Sequence, residues 1–507
     1  MNKKFYITTP IYYPSAEFHI GHCYTTIIAD AIARYKRLDG YDVFFQTGTD
    51  EHGLKIENKA KERGITPKEY VDVIIENAKD LWKNLGISYD FFIRTTDEFH
   101  VKKVQEIFKK LYDQGDIYKS EYKGLYCVPC ESFWTDTQLI DGKCPDCGRD
   151  VELVTEEAYF FKLSKYQKKL EEFYENNPHF IEPASRKNEM LNNFIKPGLE
   201  DLCVSRTSFK WGIPVTFDEK HVIYVWIDAL TNYITSLGYP EITPEFKKYW
   251  PADLHLVGKE IVRFHSIIWP AILMALDLPL PKQVFGHGWL IVDGGKISKS
   301  KGNYKDPREY INAYGVDAVR YFSLREVPFG SDGNFSESSL VTRTNADLCN
   351  VLGNLVSRTI QMCIKYFEGK INNKKINEEI DKDLINSTYN LKNIVDKKMD
   401  EFKINEALEH IFDVLRKCNK YIDDTTPWIL AKDINNLDRL ETVLYNLLDS
   451  IRICSILLQS FIPTTSKKIF DGLKLNATSF ESIDKKIEVY ELGLEKPDNL
   501  FERIKED

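Results

Sequence analysis

The chain opens on an apolar run, FYITTPIYY, rich in β-branched and aromatic residues, which predicts a buried strand. In the following EFHIGHCYTTIIADAIARYKRLDG, Ile27, Ile28, Ala31, Ile32 and Tyr35 recur at helical spacing before Gly40, so a helix is expected there. DVFFQTGTD then reads as a second buried strand. Strand, helix, strand is the unit from which parallel α/β sheets are built. Near residue 115 the pattern breaks into turn-rich YCVPC and DGKCPDCGRD, then into Lys- and Glu-rich segments, and it resumes at VIYVWIDAL, LHLVGKEIVRFHSIIWPAILMAL and QVFGHGWLIV. One sheet interrupted by an insertion is expected, with the halves at 1–116 and 226–335 and the insertion at 117–225. From 336 to 507 strand signals nearly vanish, and Leu440, Val443, Leu444, Leu447, Leu448, Ile451 and Leu458 form one stripe, so an all-helical bundle should close the chain. The Lys/Asn-rich stretch 369–383 reads as a solvated connection.

Composition narrows the function. With 507 residues, 43% hydrophobic and 29% charged, the chain is globular and long enough for several cores. A net charge of -9 argues against coating nucleic acid through bulk positive charge and leaves room only for a local basic groove. No apolar run approaches the roughly 18 to 20 residues of a membrane span, and MNKKFYITTP lacks a signal-peptide core. A cytoplasmic protein without a membrane partner is expected.

Four of the ten cysteines, Cys127, Cys130, Cys144 and Cys147, form two C-x2-C knuckles, and the others are scattered. Four thiolates complete a tetrahedral zinc with no open position, so one structural Zn2+ is expected, with reduced surface thiols as the plain alternative.

Two stretches suggest phosphate chemistry. His19-Ile-Gly-His22 falls where the first strand hands over to its helix: two imidazoles three apart share a face, Gly21 lets a ligand approach, and the helix N-terminus adds positive potential. GGKISKSKGN, residues 294–303, gathers Lys296, Lys299 and Lys301 between glycines. Alone, the first reads more often as a structural histidine pair and the second as a solvated charge run. Together they supply fixed donors and movable cations for charge developing on a leaving pyrophosphate.

With these motifs the sequence resembles the class I aminoacyl-tRNA synthetases, whose signatures are HIGH (His19 to His22) and KMSKS (Lys296 to Ser300, with Ile297 in place of Met). Within that class it resembles the methionyl-tRNA synthetase family, through PIYYPSAEFHIGH, QTGTDEHG, the cysteine knuckles, YVWIDALTNY, GKEIVRFHSIIWP, LGNLVSR and TTPWILAK in order. The resemblance implies a Rossmann-like catalytic domain with an inserted zinc knuckle and a helical anticodon-binding domain. It implies methionine activation by ATP with Mg2+, then transfer to initiator and elongator tRNA-Met. Asp50, Ile11, Tyr13, Trp226, Ala229, Leu230, Tyr233, His265 and Trp269 would hold methionine; His19, Gly21, His22, Gly258, Glu260, Lys296 and Lys299 would hold ATP, with His19, His22, Lys296 and Lys299 catalytic. Asn354, Arg358 and Trp428 would read the anticodon. By pattern alone, Trp226, Tyr233 and Trp269 are core aromatics, Glu260 a first-turn helix acid, and Asn354 with Arg358 one exposed helix face. Leu230 is Pro in some family members, and many members continue into a further tRNA-binding and dimerisation domain; the chain stops at LFERIKED, so a monomer is expected. The other readings are a related synthetase and a zinc-bearing RNA-binding module that has lost catalysis.

Overall fold

The structure is a computed structural model that describes residues 3–130, 132–134, 138–292, 304–494 and 498–505. Two compact units emerge: Met1–Ala29, Tyr41–Lys83 and Ile87–Trp289 form the first, and Asp30–Gly40, Asn84–Gly86 and Leu290–Asp507 the second.

The first unit is built on a six-stranded sheet. β1 (Lys4–Tyr12), α1 (Ile20–Leu38) and β2 (Asp42–Thr49) fall where the apolar runs predict them, and β3 (Phe91–Arg94) comes later. The strand order is β3, β2, β1, Leu254–Gly258, Val284–His287, Ile181–Glu182, and every pairing is parallel. Both faces of such a sheet are covered, so its strands carry continuous apolar runs. Ile7, Phe45 and Val257 are fully buried, each contributing roughly 1.5–3 kcal/mol of apolar burial. The chain leaves β1 outward on one side through β2 and β3, and on the other through Leu254–Gly258, so the order reverses beside β1. Open α/β sheets bind ligands at that reversal, beyond the strands' carboxyl ends.

The interrupting stretch is less separate than its polarity suggested. Ile117–Cys127, Ser132–Trp134, Glu152–Phe161 and Leu202–Cys203 make a four-stranded antiparallel sheet. Ile181–Glu182, however, pairs with Val284 and Phe285 and closes one edge of the main sheet. Two residues carry no periodicity, which is why the sequence hides this strand.

The second unit is helical after residue 335, with Asn354–Phe367, Glu379–Asp400, Ile404–Thr425 and Leu437–Leu458 as its long elements. Two sequence expectations change here. Leu437–Leu458 is buried all round, including Arg439, Glu441, Asp449 and Arg452, so it is a central helix and not one with a single apolar stripe. Its charges are paired: Arg439 holds Asp381 through two contacts of 2.7 Å, and Arg452 holds Asp449 at 2.8 Å. The stretch 369–383 is exposed over 374–380, as a solvated connection should be, but its two ends are anchored. Lys370–Asn372 pairs antiparallel with Val489–Glu491, and Asp381, fully buried, accepts from Arg439 and Tyr421. No helix among the described residues is long and apolar enough to cross a membrane.

Candidate active site

α1 begins directly after His19, and its first turn is organised by imidazoles. The His22 amide donates to the His19 carbonyl (2.9 Å), the His19 amide donates to His22 Nδ1 (3.1 Å), and the Gly21 amide donates to His19 Nδ1 (3.1 Å). Both Nδ1 atoms are therefore acceptors, and each neutral ring carries its proton on Nε2. The rings stack with centroids 3.9 Å apart and planes 26° apart. Desolvation and the neighbouring His19 hold His22 well below the usual imidazole range. The turn thus offers two neutral N–H donors at a helix N-terminus, where anions are favoured. Behind it, Thr25 Oγ1 lies 2.8 Å from His287 Nε2 while His287 Nδ1 donates to the Gly288 carbonyl (2.7 Å), a link between α1 and the strand Val284–His287 that no sequence pattern announced. Lys296 and Lys299 fall in 293–303, outside the described residues.

The residues expected around methionine converge on the same strand ends. Ile11 and Tyr13, half-buried, end β1, and Asp50 follows β2 with its amide on the Tyr12 carbonyl at 3.0 Å. Ala229, Leu230 and Tyr233 lie buried on one face of the helix Val225–Thr235. On that helix Trp226 stacks on Phe264 at 3.4 Å and 9°. His265 sits in a π-helical turn, Phe264–Ile268, and Trp269 begins the helix that follows it. Such turns recur at functional sites because they re-aim side chains without ending the helix.

The hydrogen bonds fix the protons. His265 Nδ1 donates to the Ile261 carbonyl at 2.9 Å, so its Nε2 accepts from the Tyr233 hydroxyl at 2.7 Å. The Trp269 indole donates to His255 Nε2 at 3.2 Å, so His255 donates from Nδ1 to Thr8 Oγ1 at 2.8 Å. Both imidazoles are neutral: burial pushes His265 down to about 4, and burial plus His265 hold His255 well below its ordinary value. The lining is aromatic, aliphatic and uncharged apart from Asp50. That suits an amino acid whose side chain is long and apolar and whose ammonium group needs a carboxylate. His255 and Thr8 escaped notice in the sequence because a histidine inside an apolar run reads as core.

Gly258 ends its strand against Glu260. A Cβ at Gly258 would lie 2.6 Å from Glu260 Oε2, so a larger residue here would push that carboxylate aside. Glu260, exposed on the short 3-10 turn Lys259–Ile261, accepts from the Trp289 indole through Oε2 at 2.6 Å.

The cysteine knuckles close on each other. Cys127 Sγ and Cys147 Sγ lie 3.5 Å apart, Cys130 Sγ and Cys144 Sγ 3.8 Å, and all four sulfurs fall within 4.8 Å. Tetrahedral zinc with bonds of about 2.3 Å separates its sulfurs by roughly 3.8 Å, so the donor set and spacing fit that ion.

In the second unit Asn354 and Arg358 are exposed one turn apart at the start of Asn354–Phe367. Arg358 approaches Asp423 at 3.6 Å, near the end of Ile404–Thr425. Thr426, in the left-handed region at φ 43°, then turns the chain into Pro427–Leu430, where Trp428 is 41% exposed and Ile429 54%. An exposed indole and an exposed guanidinium are groups on which unpaired bases stack.

Strands running outward from β1 in both directions, with paired imidazoles opening the helix at the reversal, are the arrangement of a class I aminoacyl-tRNA synthetase. Comparison with known proteins makes the assignment particular. Residues 5–153 and 147–360 match the family "tRNA synthetases class I (M)", and 373–507 match "Anticodon binding domain of methionyl tRNA ligase". The methionine–tRNA ligase of Clostridium acetobutylicum is 63% identical over 482 residues, 95% of this chain and 75% of that protein. The one from Bacillus subtilis is 52% identical over 519 residues, 99% and 78% respectively. A solved structure of Mycobacterium tuberculosis methionyl-tRNA synthetase in complex with methionyl-adenylate superposes with a TM-score of 0.94 at 42% identity, covering 98% of this chain and 99% of that one. The chain belongs to the methionyl-tRNA synthetase family.

Proposed function

We propose that the chain activates L-methionine with ATP to methionyl-adenylate and pyrophosphate, then transfers the methionyl group to the 3′ end of initiator and elongator tRNA-Met. The observation that carries this reading is the shared location, at the sheet's reversal, of the paired imidazoles at the start of α1 and a buried cluster of aromatic and neutral imidazole side chains near Asp50. The methionine carboxylate is already ionised, so attack on the α-phosphate needs no general base. Positioning and charge stabilisation do the rest.

In this reading Asp50 takes the α-ammonium group, with Ile11 and Tyr13 at the rim. Trp226, Ala229, Leu230, Tyr233, His265 and Trp269 enclose the thioether. His19 and His22 donate to phosphate oxygens, and Gly21 lets those oxygens reach the helix start. Gly258 and Glu260 meet the adenosine, Glu260 through the carboxylate oxygen that Trp289 leaves available. Lys296 and Lys299 meet the charge developing on pyrophosphate. A Mg2+ ion entering with ATP neutralises phosphate charge. Asn354, Arg358 and Trp428 read the anticodon, and Cys127, Cys130, Cys144 and Cys147 hold one structural Zn2+. No disulfide joins cysteines among the described residues, in keeping with a reducing cytoplasm, and the enzyme is proposed to act as a monomer.

ATP–pyrophosphate exchange across the twenty amino acids tests the reading. Exchange with methionine alone supports it, and exchange with none, or with a different amino acid, defeats it.

A further inference from the structure

Asp50, Glu51 and His52 are three consecutive ionisable residues, yet two of them are engaged inside the protein. Glu51, fully buried, takes Arg94 Nε and Nη2 at 2.8 Å each and the Thr96 hydroxyl at 2.6 Å. His52 reaches the opposite way, its Nδ1 2.6 Å from Asp228 Oδ2. The other oxygen of Asp228 lies 2.8 Å from His100 Nε2, and His100 Nδ1 lies 2.7 Å from Thr235 Oγ1. Asp228 and His100 are fully buried, and His52 and Thr235 nearly so.

The placement of Asp228 gives this cluster its meaning. On the helix Val225–Thr235, Trp226, Ala229, Leu230 and Tyr233 follow i, i+3, i+4, i+7 spacing and line the pocket. Asp228 and Thr235, seven apart, occupy the opposite face, where His100 holds both. We infer that Asp228 is a positioning residue for methionine: through His52 it locks the loop carrying Asp50 to the back of the helix whose front forms the pocket wall. This rests on the methionine reading of Asp50 and the pocket.

The proton order is determined. A carboxylate only accepts, so His52 donates from Nδ1 and His100 from Nε2, while His100 Nδ1 shares a hydrogen bond with the Thr235 hydroxyl. The two donors hold the Asp228 carboxyl below its usual range against the opposing effect of burial. An amide in its place offers an N–H where one imidazole also donates, so one of the two links opens. The distance between Asp50 and the opposite pocket wall is then no longer fixed, and displacements of this order are costly in a positioned site.

Asp228→Asn, measured by pyrophosphate exchange with methionine and ATP varied separately, is expected to raise the methionine KM tenfold or more, by roughly that reasoning, while the ATP KM stays within about twofold. Thr235→Val removes the hydroxyl that holds His100 Nδ1, and it is expected to raise the methionine KM about threefold with near-UV circular dichroism unchanged. It stands in where Asp228→Asn fails to fold. An unchanged methionine KM in a folded variant, or methionine and ATP constants rising together, overturns the inference. Asp50→Asn separates the two levels: if it raises the methionine KM and Asp228→Asn does not, the pocket reading survives and the lock does not. If Asp50→Asn changes nothing, the pocket reading fails with it.

Discussion

The rings of His19 and His22 stack at 3.9 Å, and each turns its Nδ1 to a backbone N–H. That arrangement commits both Nε2–H groups to whatever lies beyond the helix start. A bound triphosphate favours protonation of the adjacent His22, so its depressed pKa is expected to rise when a non-hydrolysable ATP analogue binds. Imidazole resonances followed by NMR across a pH series report this directly, and coincident curves with and without the analogue would remove the phosphates from this turn.

Lys299→Ala tests the lysines proposed to meet the pyrophosphate. Charge needed mainly in the transition state affects kcat more than ground-state binding, so exchange should fall by roughly 10²-fold or more while the methionine KM changes little. Retention of the parental kcat would dismiss this lysine from the chemistry.

The four sulfurs, within 4.8 Å of one another, should carry one zinc per chain. Metal analysis of purified protein checks the stoichiometry. Cys144→Ser should lower the occupancy, because a hydroxyl is a poor replacement for a thiolate ligand. Full occupancy in that variant would show that the ion, if any, is held elsewhere.

Trp428, 41% exposed on a short helix beside Ile429, has no structural duty that explains an indole in water. Trp428→Ala should reduce tRNA charging while leaving pyrophosphate exchange intact, with a loss of about 1–3 kcal/mol if one base stacks there. Equal losses in both assays would contradict an anticodon role.

His265 gives stability a pH dependence of known sign. Unfolded, its imidazole takes a proton near 6.5; folded, only near 4. Between those values the unfolded chain binds more protons, so stability is undiminished above pH 6.5 and falls as the pH drops toward 4, by roughly 3 kcal/mol for this group. Denaturant titrations at pH 7 and 4.5 should show a smaller difference for His265→Gln than for the parent. An equal difference would mean that His265 titrates normally in the folded protein.

The legible parts of this chain were those in which one local signal decides. The β1–α1–β2 unit follows from apolar period, and the knuckles from cysteine spacing. What stayed hidden depended on partners distant in sequence. Asp381 lies in a stretch of lysines and asparagines that reads as solvent-facing, and only Arg439, 58 residues on, makes it a core residue. The sequence likewise shows Asp228 as one polar position in an apolar helix; its two imidazoles come from residues 176 and 128 positions away. Tyr233 and Trp269 are core aromatics by burial, as their pattern suggests, and the proposed pocket wall as well. Pattern distinguishes inside from outside, but not a filled interior from one that opens on a ligand.

The uncharged pocket has a consequence for translation as a whole. In the proposed pocket, aromatic and neutral imidazole walls would recognise length and flexibility, and the sulfur atom would add only ~0.3–1.5 kcal/mol per aromatic contact. An unbranched hydrocarbon amino acid of equal length forfeits little more than that, a discrimination of about tenfold for each 1.4 kcal/mol. Accuracy at methionine codons is then settled partly upstream, by how far metabolism keeps such look-alikes scarce relative to methionine.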